Sequence, residues 1–156
     1  MYFRLAPRDL TLRIMTVIAF IVLIPFPILY LHGWDVIDII ILLSIIVMYL
    51  FFYVTGPNGY SYNDEGIRIK RIAGDITIPK EDIIDVSIIE KARIDMNLDG
   101  NKGLFFYSGT FRERNGNKVK VHATRFTEMV RVRTTNLDYY LSPKEPQAFV
   151  DAIKEI

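Results

Sequence analysis

Two stretches of the chain carry no Asp, Glu, Lys or Arg: Ile14 to Trp34, and Ile39 to Asn63. Almost every charged side chain lies after Asn63, so the polypeptide divides near Gly56. The first apolar segment, LRIMTVIAFIVLIPFPILYL, runs from about Leu12 to Leu31. At a rise of ~1.5 Å per residue it is long enough for a ~30 Å hydrocarbon core. The second, VIDIIILLSIIVMYLFFYV, runs from about Val36 to Val54, and its aromatic end suits a membrane interface. No small-x-small site follows the first run, which reads as an uncleaved anchor.

Arg4, Arg8 and Arg13 precede the first span, and Arg68, Lys70 and Arg71 closely follow the second. The connection between them carries His32, Asp35 and Asp38 but no Lys or Arg. The positive-inside rule then places both termini in the cytoplasm of a multi-pass cell-membrane protein, with Trp34 as an interface anchor on the outer side. Pro25 and Pro27 predict a kink near the outer end, and Ser44 is the only polar side chain deep in the second span. Without a mid-membrane ionisable group, the pair reads as an anchor rather than a transport path.

Thr55–Gly59 (TGPNG) is read as a turn-rich linker reaching about 17 Å when extended. From Tyr60 the apolar period becomes two. Ile67 and Ile69 point one way, Arg68 and Lys70 the other, after an Asn-Asp-Glu-Gly turn. ITIP, IIDVSIIEK, GLFFYSGTFRER, KVKVHATR, MVRVRTTN and YYLS read as further strands, with a polar loop from Ala92 to about Lys102. Asn115-Gly116 is the strongest hairpin signal. Seven or eight short strands of this kind close into an antiparallel barrel or sandwich. The tail closes it with an amphipathic helix, opened by Pro146 in the preferred register, with Phe149, Ala152, Ile153 and Ile156 on one face.

GLFFYSGTF…NGNKVKVHATR…VRVRTTNLDYYLSPKEPQAFVDAI resembles the prokaryotic pleckstrin-homology (PH)-like domains that are attached to short transmembrane segments. The shared pattern is a glycine-bounded strand, AT at the end of the next, the T…YYLSP corner, and P…F in the helix; it spans Tyr60 to Ile156. The resemblance implies a membrane-anchored cytoplasmic domain and carries over no catalytic residue. The expected organisation is a two-helix transmembrane hairpin over residues 1–56 and a cytoplasmic α+β PH-like barrel, capped by a C-terminal helix, over residues 57–156.

A net charge of +1 gives no reason to expect a nucleic-acid partner, and the absence of cysteine removes disulfide and thiolate chemistry. Asp95, Asn97, Asp99 and Gly100 fit half a calcium loop, but Phe106 stands where its closing glutamate belongs. His32 and His122 fall on opposite sides of the membrane in this arrangement, so no metal triad uses both. No nucleophile elbow, P-loop or zinc-protease helix occurs. The turn Asn63–Gly66 is too tight and acidic to cradle an inositide headgroup.

The better candidate is a basic strand face. With Val119, Val121, Val130 and Val132 inward, Lys118, Lys120, His122, Arg131 and Arg133 point outward. A turn near Phe126-Thr127 would set Lys120 opposite Arg133 and His122 opposite Arg131, while the Asn-Gly turn would set Glu113 opposite Lys118. Like charges facing each other invite an anionic partner. The reading is therefore a non-catalytic interaction module without cofactor, integral to the bilayer. It would bind a membrane or cytoplasmic protein or its own copies. The alternatives are an anionic-lipid sensor using Lys118, Lys120, Arg131 and Arg133, or an accessory subunit of a larger membrane complex.

Overall fold

The computed structural model describes residues 1–23 and 35–154. Strand β1 (Tyr2–Phe3) precedes helix α1 (Leu10–Leu23) and helix α2 (Val36–Thr55). Then follow β2 (Pro57–Asn63), β3 (Gly66–Arg71), β4 (Ile76–Pro79), a 3-10 turn at Lys80–Asp82, β5 (Ile83–Lys91) and β6 (Ile94–Leu104). The chain ends with β7 (Phe106–Glu113), β8 (Lys118–Ala123), β9 (Thr127–Thr134), β10 (Asp138–Leu141) and α3 (Pro146–Lys154). The outer end of the first apolar run, with Pro25, Pro27 and Trp34, lies outside the described residues.

The strands form a four-stranded sheet, β1-β2-β3-β4, and a six-stranded sheet, β5-β9-β10-β8-β7-β6. The larger sheet curls into a half-barrel, and both of its faces are buried. On one face Val86, Val130, Val132 and Leu141 pack with Tyr60, Ile67, Ile69 and Ile78 of the smaller sheet and with Phe149 of α3. On the other, Phe111, Val119, Val121, Met129 and Tyr140 enclose a second core, closed at one end by Leu12 of α1. Helix α3 starts at Pro146, as the sequence predicts, and Phe149 meets the Phe3 ring edge-on at 4.9 Å.

Four local expectations are corrected. Pro57–Asn63 is a strand rather than linker, because Tyr60 and Tyr62 pair with Ile69 and Ile67, leaving only Gly56 between α2 and the sheet. The expected polar loop is mostly strand β6, paired along β7 with three register shifts. Its pairing is possible because Gly100 and Gly109 face each other, with φ of +113° and +137°. A Cβ at Gly100 would lie 2.2 Å from the Ser108 carbonyl oxygen, and one at Gly109 would lie 2.0 Å from that of Asp99. Only glycine lets the two backbones approach and bend this way.

The third correction is topological. Strands β8 and β9 do not pair; β10 lies between them, parallel to β8 and antiparallel to β9. A buried polar cluster holds that split open. Thr124, just past β8, donates its N–H to Ser142 Oγ (2.8 Å) and its hydroxyl to the Ala6 carbonyl (2.7 Å). Ser142, just past β10, donates its N–H to Tyr60 Oη (3.0 Å), and Tyr60 Oη donates to the His122 carbonyl (2.6 Å). The Ala6 N–H donates to the Ser142 carbonyl (2.9 Å). Thus Thr124 and Ser142, the AT and YYLSP signatures, bind each other and the N-terminal segment. The fourth correction is the β7–β8 turn. It places Arg112, not Glu113, opposite Lys118, because the turn is one residue longer than a two-residue Asn-Gly loop.

Residues 1–9 are consequently part of the β structure. β1 pairs with β2, the Lys144 N–H donates to the Arg4 carbonyl (2.8 Å), and the Asp9 N–H donates to the Thr124 carbonyl (3.1 Å). Replacing Ser142 with Ala would strand the buried Thr124 N–H without an acceptor, at a cost of about 1–3 kcal/mol. A lowered midpoint in thermal unfolding of the detergent-solubilised chain is the expected result; an unchanged midpoint would contradict the assignment.

Candidate functional site

The four predicted basic residues do not share a face. Lys118 and Lys120 alternate with Val119 and Val121 on β8, and Arg131 and Arg133 alternate with Val130 and Val132 on β9. In the expected hairpin they would meet. With β10 interposed, Lys120 aligns through Tyr139 with Val132, and Val121 aligns through Tyr140 with Arg131. The two lysines therefore sit on the α3 side of the sheet and the two arginines on the half-barrel side. Lys120 Nζ lies 5.8 Å from the Tyr139 ring centroid. Arg131 is ion-paired with Asp138, donating from Nε at 2.8 Å.

His122 is not outward. It is buried, with Nδ1 2.9 Å from Ser108 Oγ. Burial, and then the nearby Arg71 and Lys120 charges, push its pKa down from 6.5 to about 4. It is therefore neutral at physiological pH and a poor candidate for an anion contact.

The curl of the larger sheet instead gathers a constellation that strand alternation did not predict. A cleft of about 300 Å³ opens where β5 ends and β7 turns into β8. Lys91 comes from the end of β5, Arg93 from the corner before β6, Arg114 from the β7–β8 turn and Arg131 from β9. The floor holds Glu113, 8% exposed, which accepts from Tyr140 Oη and from Asn115 Nδ2 (3.0 Å). Burial first, and then the Glu113 carboxylate, raise the Tyr140 pKa, keeping the phenol a hydrogen donor. Of the four cations only Arg131 has an ion pair among the described residues. Of the four cations sequence reasoning reached Arg131 alone, and it named Glu113 only as a partner for Lys118. Lys91-Ala-Arg93 and Arg112-Glu-Arg114 were legible as charge alternations, but nothing in the one-dimensional pattern joins strands so far apart.

At the opposite end, the β6–β7 tip grips the helices. Phe105, with φ of +65°, places its ring 5.8 Å from Phe20, 6.2 Å from Tyr49 and 6.0 Å from Tyr53. Its N–H donates to Thr16 Oγ1 at 3.1 Å. Gly56 lies directly under the Phe106 ring, where a Cβ would be 2.0 Å from Cε1. The Ala73 N–H donates to the Val54 carbonyl (2.9 Å), so the β3–β4 turn also meets the end of α2, with Ile72 exposed beside it. Asp38, polar within an apolar run, completes a capping box with Asp35 at the start of α2. Ser44 returns its hydroxyl to the Ile40 carbonyl (2.7 Å). Among the described residues, α2 is the one helix long and apolar enough to cross a membrane. No His, Asp or Glu group of three or more there could hold a metal ion.

Two outcomes follow from this geometry. Below pH 6.5 the unfolded chain protonates His122, while the folded chain resists until about pH 4. The stability this group contributes is therefore complete above 6.5 and is lost as pH falls through that window, by on the order of 3 kcal/mol. His122→Gln should flatten that part of the stability profile in unfolding titrations at pH 7 and 4.5; an unchanged slope would count against it. Gly56→Ala should displace the Phe106 ring and lower stability by about 1–3 kcal/mol, read as a fall in melting temperature.

No curated protein and no solved structure matches the chain. The sequence model of one family, described as bacterial PH domain, matches residues 58–156. That match covers β2 through α3: the smaller sheet without its first strand, the curled half-barrel and the closing helix. It spans well over half of the sequence, and the chain belongs to the bacterial PH domain family.

Proposed function

We propose that this protein is a non-catalytic, membrane-anchored PH-like interaction module at the cytoplasmic face, holding a partner protein or a second copy of itself beside the bilayer. The observation that carries the anchor is the union of residues 1–9 with the β domain that follows α2. Both flanks of the apolar region belong to one folded unit, so a chain that leaves through α2 must also return. Two crossings satisfy this, one through the apolar run beyond the part of α1 that packs on the β domain and one through α2, which at 20 residues is about 30 Å long with Tyr49 as its buried residue. The arginines before α1 and the basic residues on β3 favour the cytoplasmic side for the shared domain.

The junction supports a module held in a fixed pose. One residue, Gly56, separates helix from sheet, and the Phe105 cluster grips both helices. A domain so fixed presents the same surfaces to any neighbour in the membrane plane. Lys118 and Lys120 on one side, and Arg131 and Arg133 on the other, enter this reading as two separate candidate contact patches. The anionic-lipid sensor and the accessory subunit remain the alternatives. They differ in what is captured: vesicles of anionic lipid in the first case, a membrane partner crosslinked through the helices in the second.

The chain has no cysteine, so single cysteines report topology cleanly. In intact cells an impermeant maleimide should label Gly33→Cys but reach Lys144→Cys only after lysis. Equal labelling of both would sink the hairpin. Crosslinking in native membranes should trap a partner or a homodimer through the β domain, and recovery of the uncrosslinked monomer alone would sink the interaction reading.

A further inference from the structure

We propose that the cleft at the β5–β6 corner binds a compact, soluble polyanion of the phosphate class, at a site that shares Arg131 with the expected basic face but not Lys118, Lys120 or Arg133. Four cations, Lys91, Arg93, Arg114 and Arg131, line it against the single carboxylate of Glu113. The whole chain carries a net charge of only +1, so this is a local concentration of positive charge that the composition does not require. Three of those cations have no ion pair among the described residues, and Lys91, Arg93 and Arg114 are exposed at the rim. Like charges brought together in a concave site raise its affinity for anions.

The chemistry of the lining selects the ligand. The guanidinium groups of Arg93 and Arg114, without an ion pair among the described residues, favour planar or tetrahedral oxyanions, which they can bind through paired N–H donors, while Arg131 is already held by Asp138. Glu113 is held on the floor by Tyr140 and Asn115, where it offers an acceptor to a ligand that also carries a donor, such as a hydroxyl or a protonated phosphate oxygen. A volume of about 300 Å³ lies at the small end of ligand sites, suited to one or two phosphate groups rather than a folded segment.

The β7 side of the cleft is far from the helix junction, whereas Lys91 also borders Thr11 and Met15 of α1. Strand β7 begins at Phe106, against Gly56 at the helix end, and reaches the cleft at Glu113, seven residues on. That is about 20 Å along the strand, beyond a screening length of roughly 8–10 Å. A soluble phosphate compound and a headgroup of the membrane that holds the chain share this chemistry, and the titration below separates them.

The test uses the full-length chain in nanodiscs of phosphatidylcholine, titrated calorimetrically with sodium pyrophosphate. Saturable binding that weakens as salt rises is expected. Arg93→Gln combined with Arg114→Gln should reduce the affinity by about tenfold or more. Both side chains are exposed, so the variant should keep the native melting temperature. Lys118→Gln with Lys120→Gln, on the other face of the sheet, should leave binding unchanged. Absence of saturable pyrophosphate binding would overturn the proposal, as would equal binding by the Arg93/Arg114 variant. Binding confined to vesicles containing phosphatidylglycerol, without pyrophosphate binding, would also overturn it. None of these outcomes bears on the topology, which the cysteine labelling decides separately.

Discussion

The buried hydrogen bonds among Thr124, Ser142, Tyr60 and Ala6 are the joint on which the rest of the molecule turns. Thr124 and Ser142 are nearly or wholly inaccessible to water, so their polar groups must find partners inside the protein. They find each other, the Tyr60 hydroxyl from the smaller sheet, and the backbone of the N-terminal segment. That single cluster separates β8 from β9, fixes β10 between them, joins the two sheets and fastens the first residues of the chain. Taking away any one member leaves a buried donor or acceptor unpaired, which is more costly than the net gain from forming the bond.

Its consequence for the apolar region is geometric. Because the segment before α1 and the strand after α2 are held in one unit, the apolar stretch between them is a loop with both ends fixed. The clasp at Phe105 and the close contact of Gly56 with Phe106 then remove most of the freedom a linker would give. The half-barrel thus has one end occupied by the root of α1, where Leu12 enters the core and Asp9 caps the helix while accepting from Tyr107. The other end is open and lined by cations around a carboxylate. Along β7 the helix junction and the open cleft lie at opposite ends.

Much of this was legible in the chain as written. Alternation at Ile67 and Ile69, at Val119 and Val121 and at Val130 and Val132 marked buried positions correctly, since all six are inaccessible. The proline at position 146 fixed the start of the last helix, and the tail's signature residues pointed to the family that the chain belongs to. What failed was adjacency. The short connection from β8 to β9 suggested a hairpin, and the strength of the Thr124–Ser142 pairing was invisible until the two residues met. The basic face failed with it, because inserting one strand carries the lysines and the arginines to opposite sides of the sheet.

The sequence by itself determined the elements: two apolar runs without charge, a region of period two, a proline-opened amphipathic helix. These are local properties, set by hydropathy, pleat alternation and backbone chemistry within a few residues of each position. Only the tertiary structure decided which strands are neighbours, that the first nine residues belong with the last hundred, and that Lys91, Arg93, Arg114 and Arg131 surround Glu113. Those facts depend on side chains far apart in the chain satisfying one another in a space without water, and no local pattern encodes which distant partner will do so.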